Sequence, residues 1–191
     1  MAKQKKREDI ILSAMGLIAK KGFHGAPMSM IAEKAGVGIG TIYRYFENRD
    51  MLIEAIYKEK AERLVAFLLK KYPYGQPVQE CFFHIGTGVV AYFIRNSMDF
   101  NYSEQFHHSP YGEAHSRNRV FASGVQSDIF MELYEKGVAQ QVIKNLPPPV
   151  FFNLAFAPII WSLRDHILGM VQLDTSLARL IVASCWDSVK I

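Results

Sequence analysis

Apolar residues recur at helical spacing along almost the whole chain, and strand-like alternation is nearly absent. Ile10, Ile11, Ala14, Leu17 and Ile18 fall on one face of a first helix that Gly22 is placed to end. Met28 to Ala35 forms a short second helix, Gly36-Val37-Gly38 breaks it, and Ile39 to Phe46 resumes with Ile42 and Phe46 one turn apart. Asn48-Arg49-Asp50 opens a long helix carrying Met51, Leu52, Ala55, Ile56, Leu64, Phe67 and Leu68, which stops near Tyr72-Pro73. Beyond Pro77 the helices lengthen and become more apolar. They are expected at 77 to 95, 98 to 107, 112 to 136 with Gly137 as the stop, 148 to 170 with a kink at Pro158, and 174 to 190 with Asp174 as N-cap. The fold class is therefore all-α, with about nine helices.

Composition supports a folded chain. Half of the 191 residues are hydrophobic, which is ample for a core and unlike the composition of a disordered segment. Cys81 and Cys185 are far apart in sequence and form neither a disulfide framework nor a CxxC motif, so two reduced thiols are expected. The basic start followed by Ile10 to Ala19 mimics a signal peptide, but Glu8, Asp9 and Lys20-Lys21 argue against one. The longest uncharged run, Asn145 to Leu163, keeps only 14 residues after Pro147-Pro148-Pro149, short of a membrane span. A cytoplasmic location is expected.

Charge is unevenly placed. Residues 1 to 60 hold 11 Lys and Arg against 7 Asp and Glu, whereas the remaining residues hold 11 of each. The excess positive charge thus lies in the N-terminal third, as suits a polyanion partner, although a basic tail can equally be a solvated end.

Two short helices joined by a glycine-containing turn, with a basic helix before them, make a helix-turn-helix, whose second helix enters the DNA major groove N-terminal end first. Gly38 and Gly40 let the backbone approach DNA, and Thr41 can donate to a base edge or a phosphate. Tyr43 and Tyr45 offer hydroxyls to phosphates, with a core role for Tyr43 as the other reading; Phe46 reads as core. Arg44 can address guanine or rest on the backbone, and Arg49, beside a helix N-terminus, can pin a phosphate. Gly36 to Thr41 also resembles a nucleotide loop, but no strand precedes it and no Gly-Lys-Ser/Thr follows.

The stretch from Ile31 through Ala35-Gly36-Val37-Gly38-Ile39-Gly40-Thr41-Ile42-Tyr43-Arg44-Tyr45-Phe46 to Leu52 closely resembles the DNA-binding domain of the TetR family of bacterial transcriptional regulators. The resemblance covers about residues 8 to 56. It implies a three-helix DNA-binding domain at residues 1–47 and a helical ligand-binding and dimerisation domain at residues 48–191. It further implies a homodimer, paired through helices eight and nine, that binds a palindromic operator and is released by a small molecule. Some positions depart from the family pattern. Ala26-Pro27 replaces a polar cap, leaving Ser29 to reach a phosphate, and Gly38 replaces the usual Ser. Ile39 stands at a position that is frequently polar, where it can touch a thymine methyl or pack on its neighbours. Arg49 replaces Lys. These departures bear on base preference more than on DNA binding.

Nineteen of the 24 aromatic residues follow residue 60, enough to line an apolar pocket or to fill a core or dimer seam. Phe67, Phe83, Phe93, Phe106, His107, Phe121 and Trp161 are the candidate contacts for an uncharged or amphipathic effector. Glu104, His107, His108 and His115 raise a metal alternative, weakened because Ser109-Pro110 interrupts the helix, and no cofactor is expected. The chain is not expected to be an enzyme, since no nucleophile has a positioned base. The alternative function is a DNA-binding protein without an effector, whose C-terminal domain only dimerises or recruits another protein.

Overall fold

The computed structural model describes residues 2–114 and 129–191. Their ordered elements are helical: α1 Ala2–Lys21, α2 Met28–Lys34, α3 Ile39–Tyr45, α4 Arg49–Leu69, α5 Val78–Arg95, α6 Ser97–His107, α7 Ile129–Ala139, α8 Pro148–Ile167 and α9 Thr175–Val189. The expected all-α class holds. Phe121 and His115 lie outside the described residues, as does the rest of 115–128 within the helix expected at 112 to 136; residues 112–114, at its start, are helical. Among the described residues no helix is long and apolar enough to cross a membrane.

The chain packs as two compact units, one of residues 2–63 and 96–114, the other of residues 64–95 and 129–191, so α4 begins in the first and ends in the second. In the first unit Ile10, Ala14, Ile18, Ile31, Ile42, Leu52, Ile53 and Ile56 form a core closed by Tyr102 and Phe106 of α6. Burial of each such aliphatic side chain contributes roughly 1.5–3 kcal/mol, which makes this core the main reason the short α2 and α3 hold their places beside α1. Two polar links fasten α6 to α4. The Tyr102 hydroxyl donates to the Ile53 carbonyl at 2.8 Å, and Lys60 Nζ meets Asp99 Oδ1 at 3.0 Å. Burial, then the nearby Tyr111 and Tyr57, pushes the Tyr102 phenol well above its ordinary value.

Local rules explain the breaks. Gly22 adopts a positive φ of 68° and donates to Ile18, ending α1 as its sequence position implies. Gly36 (φ 65°) ends α2 in the same way: its N–H bonds to Glu33 and that of Val37 to Ala32, the paired bonds of a Schellman cap. α1 starts eight residues before the first core position, because Lys3 to Asp9 are mostly good helix formers with no apolar periodicity to announce them.

In the second unit, α5, α8 and α9 share an aromatic core in which Phe82 packs on Phe156 at 5.6 Å and on Trp186 at 5.3 Å. Gly86 is required here, since a Cβ would fall 2.8 Å from a Val182 methyl. Gly137 does not end its helix. α7 runs on to Ala139, and Gly137 is buried where a Cβ would stand 2.3 Å from the side chain of Ile143, so it serves packing while Gln141 (φ 56°) takes the left-handed turn. α8 continues through Pro158. The carbonyl four residues back, at Leu154, loses its helical donor there and has Ser188 Oγ of α9 at 3.3 Å instead. That hydroxyl also lies 2.7 Å from the Cys185 carbonyl. Asp174 caps α9, accepting from Leu177 N at 2.8 Å, as expected.

Candidate nucleic-acid interface

α3 presents two unlike faces. Ile42 is buried inward, and Phe46, just past the helix in extended backbone, follows it into the core. Outward lie Gly38, Ile39, Gly40, Tyr43 and Arg44, all exposed, with Thr41 at the edge. Ile39 and Tyr43, and likewise Gly40 and Arg44, are four residues apart and share one side. Nearly half of Tyr43 is accessible (49%), so the outward reading holds for it rather than the core one. A Cβ at Gly38 or Gly40 would meet nothing within 4 Å, so internal packing does not require these glycines. Their bareness leaves the backbone open to a partner from outside.

Other candidates are placed differently. The Tyr45 hydroxyl donates to the Lys3 carbonyl at 3.0 Å, and the ring is half-buried against the core. Arg44 rests its guanidinium 5.8 Å over the Tyr45 ring. Arg49 turns inward, donating through Nη2 to the Phe23 carbonyl, with Nε buried and without a partner among the described residues. Ser29 is exposed in the first turn of α2, whose start at Pro27 has no side-chain cap. Asp50 accepts from the Tyr111 hydroxyl at 2.6 Å; burial first, then this bond, raises the Tyr111 phenol above its ordinary range.

The candidate effector contacts are divided. Phe67, Phe83 and Phe93 belong to the second unit, where Phe67 lies 5.5 Å from Tyr92 and Tyr92 lies 5.3 Å from Phe93. Phe106 belongs to the first unit's core, stacked at 4.0 Å on Tyr57, with His107 edge-on to the same ring at 5.8 Å. Trp161 is 58% exposed on α8, beneath the Arg164 guanidinium. Among the described residues no three His, Cys, Asp or Glu side chains are grouped to hold a metal. The sequence reading missed the contact between Tyr45 and the start of α1, because it began that helix at Ile10.

A buried three-helix core that displays a bare-tipped second helix defines a helix-turn-helix DNA-binding regulator. The description "Bacterial regulatory proteins, tetR family" matches residues 10–56, and "Tetracyclin repressor-like, C-terminal domain" matches residues 77–190. This chain belongs to the TetR family of transcriptional regulators. It is 27% identical over 99% of its length to an uncharacterized HTH-type transcriptional regulator of Haemophilus influenzae, covering 98% of that protein. To the fatty acid metabolism regulator protein of Bacillus subtilis it is 23% identical, covering 95% of this chain and 96% of the relative. Its fold matches that of a TetR family regulator from Marinobacter aquaeolei with a TM-score of 0.84 at 22% identity, over 100% of this chain and 99% of the other.

Proposed function

We propose that this chain is a homodimeric repressor that holds a palindromic operator through the outward face of α3 and is released by a small apolar or amphipathic effector bound in the C-terminal part. The observation that carries the operator reading is the outward face itself, where Gly38 and Gly40 have no internal reason to be glycine. In this reading the DNA-binding function resides in residues 1–47, and effector binding and dimerisation in residues 48–191. The protein acts on DNA in the cytoplasm and is not an enzyme.

Dimerisation is supported by the surface of α8 and α9. Val150, Leu154, Trp161 and Leu168 are exposed at intervals of four and seven residues, one stripe along α8, and Leu180 is exposed on α9. A stripe of this kind on a monomer marks an association surface. Trp161 is assigned there rather than to an effector wall, and the effector contacts are narrowed to Phe67, Phe83 and Phe93. The name of the Bacillus subtilis relative, a fatty acid metabolism regulator, makes fatty acids and their acyl derivatives the first class to try.

The test is a binding selection of random duplex DNA by the purified protein at physiological salt. A palindromic consensus is expected; sequence-independent binding alone would refute operator recognition. Sedimentation of the wild type and of Trp161→Glu is expected to give a dimer and a monomer. Release of the selected duplex by an acyl compound, lost in Phe83→Ala, checks the effector. Release requires the recognition helices to leave the spacing of about 34 Å that matches successive major grooves.

A further inference from the structure

We propose that the first turn of α1 is a second DNA contact, in which Lys3 and Lys6 reach backbone phosphates next to those engaged by α3. The inference rests on the DNA-binding reading of α3 and extends the interface to residues outside the helix-turn-helix.

α1 begins at Ala2, so Lys3, Lys5, Lys6 and Arg7 stand on a formed helix and not on a tail. At about 100° per residue, Lys3, Lys6 and Arg7 lie on the side of the helix that carries Ile10, Ala14 and Leu17. Lys5 lies on the opposite side, with Glu8 and Asp9 three and four residues ahead of it. The outer face therefore mixes charges, while the inner face is cationic beyond the last core residue. Arg7 is already occupied, by an ion pair to Glu59 and by the Phe46 ring 5.3 Å away. Lys3 and Lys6 are exposed, and neither has an acidic partner among the described residues.

Two ties fix where this turn sits. Arg7 anchors it to α4 and Phe46, and the Tyr45 hydroxyl, from the last residue of α3, donates to the Lys3 carbonyl at 3.0 Å. Lys3 is thus tied through its carbonyl to the last residue of α3, and its exposed side chain springs from backbone beside that helix. A phosphate backbone fits this surface because it follows directly on the α3 interface and needs only point charges, which lysine supplies. Tyr45 is accordingly a positioning residue, holding the lysine-bearing turn in place.

The experiment measures affinity against salt for the full chain on two duplexes: one selected by the wild type from a random pool, and one of unselected sequence. Each lost phosphate contact lowers the slope of log K against log salt by about 0.9. The double variant Lys3→Ala, Lys6→Ala loses two contacts in each protomer of the dimer, so it is expected to lower the slope by between about three and four and to weaken both duplexes by the same factor. Lys5→Ala, on the opposite face, is expected to leave the slope unchanged. Tyr45→Phe should lower the slope in the wild-type background and have no effect in the double variant. An unchanged slope in the double variant, or an equal loss in Lys5→Ala, overturns the contact while leaving operator recognition intact. Failure of the wild type to bind either duplex overturns the α3 reading and this inference together.

Discussion

Lys60 on α4 and Asp99 on α6 face each other at 3.0 Å with both side chains less than a tenth exposed. Removing two such charges from water costs several kcal/mol each, and their attraction offsets this only while both are present. Lys60→Met is therefore expected to destabilise the protein by about 3–5 kcal/mol, because it takes the ammonium away from a buried carboxylate. Lys60→Met combined with Asp99→Leu should recover most of that loss, as read by denaturant unfolding. A double variant as unstable as the single one would show that the pair is not what holds α6 on α4.

Arg49 gives a prediction that separates two roles. Its guanidinium is engaged with the Phe23 carbonyl. Arg49→Ala should remove one of the two donors to that carbonyl, which also accepts from Ala26 N–H at 3.3 Å, at about 1 kcal/mol of stability. If Arg49 also grips a phosphate, the salt slope of DNA binding falls as well, by about one for each protomer of the dimer. Unfolding and salt titration of the same variant read the two effects separately, and a fall in slope with no change in stability would place the side chain wholly on DNA.

On α3, Tyr43 and Arg44 should differ in kind. Tyr43→Ala is expected to weaken binding to all duplexes alike and to flatten its salt dependence, as the loss of a phosphate contact does. Arg44→Ala, if the guanidinium leaves the Tyr45 ring to read guanine, should cost about 1–3 kcal/mol on the selected site and relax preference at one position. Repeating the selection with each variant distinguishes them.

The Cys185 thiol is pushed up to about 11, first by burial, with the Ile159 backbone working weakly against it. The folded state therefore holds this proton more tightly than the unfolded chain, whose thiols titrate near 9.0. The stability contributed is complete below pH 9 and is lost as pH rises through 11. Unfolding measured across that interval should fall off more steeply in the wild type than in Cys185→Ala, and a disulfide-exchange reagent should label Cys185 at pH 8 only after unfolding.

Helix periodicity made most of the fold readable, because Ile10, Ile42, Leu52 and their neighbours announce a buried face by spacing alone. Gly22 and Asp174 are readable for a different reason: a left-handed stop and a side-chain cap are local chemistry. Gly137 misled, since sequence cannot show that its missing side chain makes room for Ile143, which sits across a turn. The same limit applies to the site. The exposure of Gly38, Ile39, Gly40, Tyr43 and Arg44, with Thr41 at the edge, follows from their place in the motif. The inward turn of Arg49, the bond from Tyr45 to Lys3 and the exposure of Trp161 depend on where other elements lie. Phe106 carries no local mark that distinguishes a core ring from a pocket wall.

The proline in α8 has a consequence for how α8 and α9 are aligned. Their shared face is mostly aliphatic and aromatic, and such faces slide past one another at modest cost. Pro158 leaves the Leu154 carbonyl without its helical donor, and the Ser188 hydroxyl stands opposite that one oxygen. Shifting α9 by a turn would part that hydroxyl from the oxygen and leave the carbonyl to water, so the pair acts as a vernier mark that tells two greasy rods where to stop.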